Sequence, residues 1–107
     1  MRVLLIAMAF CTSASAEYID GNKLLEKMQG STGDQMFALG YVAASMDAAY
    51  KLVVCQPANV TIGQINDMVR NYLINTPAER HHSADAIVMK VGSTIWPCKE
   101  QRRGTIL

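Results

Sequence analysis

Between Val60 and Ile95 the apolar positions recur at helical spacing in two stripes, separated by a polar break. The first stripe holds Ile62, Ile65, Val69, Tyr72 and Leu73, with Gln64, Asp67, Arg70 and Asn71 on other faces, the pattern of an amphipathic helix with one buried side. Its start is well marked. Thr61 is a good N-cap, Gln64 three residues later completes a capping box, and Val60 and Ile65 stand at the positions of a hydrophobic staple, so the helix begins at Ile62. It ends in Asn75-Thr76-Pro77, because the residue before a proline is pushed out of the helical region. The second stripe is Ala84, Ile87, Val88, Val91 and Ile95, with Ser83 as its expected N-cap and Pro97 beyond its end.

Upstream, Glu17 to Asn22 reads as a leading loop, followed by a short amphipathic segment with Leu24, Leu25 and Met28 on one side and Gly30 at its end. Ser31-Thr32-Gly33 is a turn cluster, and Asp34 is the expected N-cap of the longest helix, Gln35 to about Val54. That helix carries Met36, Phe37, Leu39, Val42, Ala43, Met46, Ala49, Tyr50 and Val53 with small residues between them, so it is apolar or small around most of its circumference. Such a helix is buried on more than one side. Either it is the central helix of a four-helix domain or a second copy of the chain covers its surplus apolar surface. No segment alternates with period two long enough for a strand, and no internal repeat appears. The expected fold class is all-α: a small four- to five-helix domain stapled by one disulfide.

The cysteines fit the hairpin of the last two helices. Arms of near-equal length, roughly 20 Å each at 1.5 Å per residue, return the chain to the end it left. Cys98 then lies beside Cys55, within the separation of about 7 Å that a disulfide tolerates. The third cysteine, Cys11, falls in residues 1–16, where Arg2, the apolar run Val3 to Phe10 and Ala14-Ser15-Ala16 have the form of a cleaved secretory signal. The apolar run is too short to span a bilayer, and Phe10 before Cys11 argues against a lipoprotein. Cleavage leaves two cysteines, as expected for one disulfide in an oxidising compartment. The chain thus divides into a signal peptide (1–16), a helical domain (17–98) and a charged, flexible tail (99–107).

Once Arg2 is removed, nine basic and nine acidic side chains remain, so neither nucleic acid nor an anionic membrane is called for as a partner. Candidate chemistry is sparse. His81 and His82 stand beside Glu79, Arg80, Ser83 and Asp85, but adjacent residues at a helix start point in divergent directions and make a poor catalytic triad. The same cluster lacks a third strong zinc ligand at suitable spacing. No cofactor, metal or enzymatic activity is expected. Asp47, alone among small and apolar neighbours, marks the solvent face of its helix or meets a partner's cation; the first is preferred. Trp96, two residues before Cys98, is expected to cover the bridge and seal the helix end, the alternative being an exposed interface anchor.

In their order along the chain, several short motifs resemble the Tai/Rap-like periplasmic immunity proteins, which protect bacteria from amidase toxins delivered by type VI secretion. They are Leu39-Gly40-Tyr41-Val42 with Asp47, Cys55, Pro57, Val60-Thr61 with Gln64, Tyr72-Leu73, Pro77, Ser83-Ala84 and Pro97-Cys98. The resemblance covers most of the chain after the signal. It implies a periplasmic, often dimeric, all-helical protein that binds an NlpC/P60-like peptidoglycan amidase, a cysteine hydrolase, and blocks its active-site cleft without doing chemistry. Cys55 and Cys98 carry over as the bridge. For the partner surface, Asn75, Thr76, Glu79, Arg80, His81 and His82 form the longest exposed polar segment between two fixed helices, the kind of loop that commonly binds. A second class stays open. Small periplasmic acid-stress chaperones also pair a signal peptide with one disulfide and a helical core, and two histidines and nine acids could titrate; the weak clustering of the acids makes this the lesser alternative.

Overall fold

Asp20 opens the folded domain by capping its first helix, its carboxylate accepting the Lys23 N–H at 2.8 Å. A computed structural model describes residues 19–99; the leader with Cys11, and the tail beyond Lys99, lie outside the described residues. The helices are α1 (Gly21–Met28), α2 (Thr32–Ala49), α3 (Ile62–Asn75) and α4 (Ala84–Ile95), with a 3₁₀ turn at Pro77–Glu79 before α4. Among the described residues the only extended pairings are isolated bridges. The fold is all-α, and the leading loop expected up to Asn22 is shorter, because the Asp20 cap starts α1 at Gly21.

The start of α2 differs from the sequence expectation. Ser31, not Asp34, is the N-cap, its hydroxyl accepting the Asp34 N–H at 3.3 Å. Asp34 is thereby freed to face Lys27 at 3.3 Å and tie α1 to α2, and that hydrogen bond is the main cause holding its carboxyl below the usual range. The end of α2 differs more. The helix stops at Ala49 instead of continuing to Val54: Lys51 takes a left-handed φ of 65°, the Ala49 carbonyl accepts the N–H groups of Leu52, Val53 and Val54, and Lys51 N–H donates to the Val54 carbonyl at 2.8 Å. This turn drives Val54 into the core, fully buried, where it bridges to Pro97. Five more helical residues would have carried Cys55 about 7 Å further along the axis, away from its partner.

α3 forms as expected, with both halves of its capping box present: Thr61 N–H donates to Gln64 Oε1 at 2.8 Å and Gln64 N–H to Thr61 Oγ1 at 3.1 Å. Ile65, Val69 and Leu73 are buried, with Val60, Ile62 and Tyr72 packed at the margin. In α4, Ala84, Ile87, Val88 and Val91 are buried but Ile95 is half-exposed. Ser83 stands at the N-cap without capping by side chain; its hydroxyl donates to Asp85, whose carboxylate accepts the Ala86 N–H. The α3/α4 hairpin returns as predicted, and Cys55 and Cys98 are bonded with Cα atoms 5.0 Å apart. Trp96 packs on the core margin, and its carbonyl accepts the Cys55 N–H at 2.8 Å. α2 packs against each of the other helices through Ala38, Val42, Ser45, Met46 and Ala49, yet Met36 and Phe37 remain exposed.

Candidate interaction site

At the pole opposite the disulfide, the segment between α3 and α4 is held by backbone contacts. Thr76 ends α3 with its N–H donating to the Tyr72 carbonyl at 3.0 Å, and its hydroxyl turns back to the same oxygen. The 3₁₀ turn follows, closed by Glu79 N–H to the Thr76 carbonyl at 2.9 Å and His82 N–H to the Glu79 carbonyl at 3.2 Å. The start of α1 then clamps the loop from outside. Gly21 N–H donates to the His82 carbonyl at 3.0 Å, Asn22 N–H to the Arg80 carbonyl at 2.9 Å, and Ala84 N–H to the Ile19 carbonyl at 2.8 Å. Gly21 permits this approach: a Cβ there would sit 2.9 Å from the Arg80 carbonyl oxygen and 2.7 Å from Ile87 Cδ1. Backbone donors at the first turn of a helix lack intrahelical partners, and here the loop's carbonyls supply them.

The side chains expected to bind fall into two groups. Glu79 stands between His82 at 3.6 Å and Lys90 at 3.7 Å, and the His81 and His82 rings lie tilted by 38° with centroids 4.1 Å apart. Arg80 is half-buried, and its Nε is buried with no hydrogen-bond partner among the described residues. Asn75 is exposed at the helix end, whereas Thr76 spends its hydroxyl inside the loop. No pattern in the chain marks Tyr72 and Lys90 as neighbours of this cluster. Lys90 Nζ lies 5.8 Å from the Tyr72 ring centre, and its pKa is raised first by Tyr72 and then by Glu79, so it stays cationic. Both residues also line an open groove of about 430 Å³ between α3 and α4, with Met68, Val91, Thr94 and Ile95. Half-exposed Ile95 thus forms part of a groove wall. A lysine on a polar helix face carries no signal of such a role; only the pairing of α3 with α4 creates it.

Chemically, the cluster offers charge, two neighbouring imidazoles and hydrogen-bonding groups beside an apolar groove. Ser83 is engaged by Asp85 and not by a histidine. Among the described residues no group of three or more metal-ligating side chains comes together, and no helix is long and apolar enough to cross a membrane. Residues 20–98 match the family described as Rap1a immunity proteins, and the chain belongs to that family. The match runs from the N-cap of α1 to the second cysteine of the bridge. No curated protein matches the chain.

Proposed function

We propose that this protein is a periplasmic immunity protein that binds a peptidoglycan amidase toxin delivered by type VI secretion and blocks its active-site cleft. Its export follows from the leader at residues 1–16, its domain spans 17–98 and its tail 99–107. Membership of the immunity family carries the proposal. The Cys55–Cys98 bridge supports an oxidising compartment. The toxin is contacted by the loop Asn75, Thr76, Glu79, Arg80, His81 and His82, with Lys90 and the adjoining groove extending the surface. Rigidity favours this role: a loop already fixed at both ends loses little conformational freedom on binding. The protein acts as a homodimer and does no chemistry itself.

Replacing Glu79, Arg80 and His81 together by alanine tests the surface by calorimetry against a cognate amidase. The expected loss is at least about 30-fold in affinity, as for residues central to an interface, with helical circular dichroism unchanged. Unaltered affinity for a confirmed toxin would move the contact elsewhere on the molecule.

A further inference from the structure

Three of the six large apolar side chains exposed among the described residues gather at the disulfide pole: Leu52 at 67% exposure, Tyr50 at 45% and Ile95 at 45%. Two backbone bridges hold their segments together, Tyr50 to Val54 and Val54 to Pro97, and the Cys55–Cys98 bond closes the same end. Val53 and Trp96 of these segments are half-buried, and Pro97 is exposed. The chain does not withdraw Leu52 from water. Its N–H and those of Val53 and Val54 all donate to the Ala49 carbonyl, and Lys51 N–H donates to the Val54 carbonyl at 2.8 Å. The left-handed turn at Lys51 is thus fixed, and it displays its apolar neighbours on both sides.

The charge of this pole differs from that of the whole chain. Lys51 is exposed, its Nζ 5.6 Å from the Tyr50 ring centre, and no carboxylate pairs with it among the described residues. Lys99 is exposed next to Cys98, and the sequence continues through Glu100, Arg102 and Arg103. Four basic side chains therefore stand against two acidic ones, Glu100 and the exposed Asp47, which lies about one helical turn before Lys51. The balance of nine bases and nine acids, which calls for no anionic partner, is an average, and this end lies on its basic side. Tyrosine, leucine, tryptophan and lysine at one tip are the composition that settles at a bilayer surface. The rings and aliphatic groups enter the headgroup region, the lysine stem follows them, and its ammonium stays with the phosphates. A nucleic acid would match the charge but leave Leu52 and Ile95 in water.

We infer that the disulfide pole is a docking surface for a bilayer bearing anionic lipid, with Tyr50, Leu52 and Ile95 at headgroup level and Lys51 and Lys99 against the phosphates. The contact is peripheral, since no helix among the described residues is long and apolar enough to cross a membrane. It leaves the loop Asn75 to His82, roughly 20 Å away at the other end of the hairpin, turned towards the aqueous compartment, and it does not depend on the identity of the toxin. Sedimentation with vesicles tests it, on oxidised protein expressed as the full chain and freed of its leader. Wild type is expected to sediment with vesicles of equal parts phosphatidylglycerol and phosphatidylethanolamine, less so as salt rises, and not with phosphatidylcholine alone. Trp96, the chain's single tryptophan, is expected to shift its emission to the blue on binding. Leu52→Asp and Lys51→Glu, both at exposed positions, are each expected to lower the partition coefficient at least about 10-fold with helical circular dichroism intact. No sedimentation with the anionic vesicles overturns the inference. Binding that either variant retains at wild-type strength also overturns it, by placing the contact on another surface. Lost toxin affinity in both variants without any vesicle binding does the same, by making this pole a protein contact.

Discussion

Replacing Cys55 and Cys98 by serine lowers the free energy of unfolding by about 4 kcal/mol, from the chain entropy released when a loop closed across a separation of 43 residues is opened. The whole stability of a domain this size is on the order of 5–10 kcal/mol, so the double variant is left marginal. A shift of about 4–8 °C for each kcal/mol puts its melting temperature roughly 15–30 °C below that of the oxidised protein. Thermal unfolding followed by circular dichroism measures the difference. The cause is structural as well as entropic, because the bridge joins the strained turn after α2, where Lys51 has φ 65°, to the end of α4. Loss of under about 1 kcal/mol would mean that the Cys55–Trp96 and Val54–Pro97 backbone contacts hold that pole without the bridge.

The second large effect is at Gly21. Gly21→Ala places a methyl group 2.9 Å from the Arg80 carbonyl oxygen, 2.7 Å from Ile87 Cδ1 and 2.9 Å from Leu73 Cδ2. A side chain could yield, but the Arg80 carbonyl belongs to a loop fixed by two hydrogen bonds to the same helix start. Overpacking of this kind costs about 1–3 kcal/mol, and losing the contacts to Arg80 and His82 adds about 1 kcal/mol for each. A loss of about 3–5 kcal/mol is expected in denaturant unfolding, together with weaker binding of the proposed toxin, because the loop no longer holds its shape. Stability and binding both at wild-type level would show that the clamp is dispensable.

Local signals in the sequence predict the α3/α4 half of the fold. Thr61 and Gln64 are three residues apart and satisfy each other, so the start of α3 needs no tertiary information. The stop at Asn75, the stripe of α4 and the pairing of Cys55 with Cys98 follow from proline, periodicity and helix length. The ends of α2 are different in kind. Ser31 and Asp34 are both competent caps, and the choice is settled by Lys27 on another helix, which draws the Asp34 carboxylate away. The stop at Ala49 has no glycine or proline to announce it. It is imposed by the burial of Val54 against Gly92 and by the disulfide, contacts that exist only after the helices pack.

For the candidate loop, the polar interval is legible in the sequence and its fixation is not. Asn75 to His82 stands out as a polar interval between two stripes, but the donors that fix its backbone come from Gly21 and Asn22, about 60 residues earlier in the chain. The apolar circumference of α2 posed a choice between a central helix and a dimer face. Its inner side meets all three other helices, as a central helix does, while Met36, Phe37 and Gly40 face outward.

The most direct test of the proposed role is capture of the oxidised protein's partners from the native envelope and from the products of neighbouring genes, with amidase activity on peptidoglycan measured for each captured protein. A single stoichiometric partner, a secreted cysteine amidase that loses activity on binding, is the predicted result. Many weak partners whose capture rises as pH falls, with no amidase inhibited, would contradict immunity and favour a periplasmic chaperone.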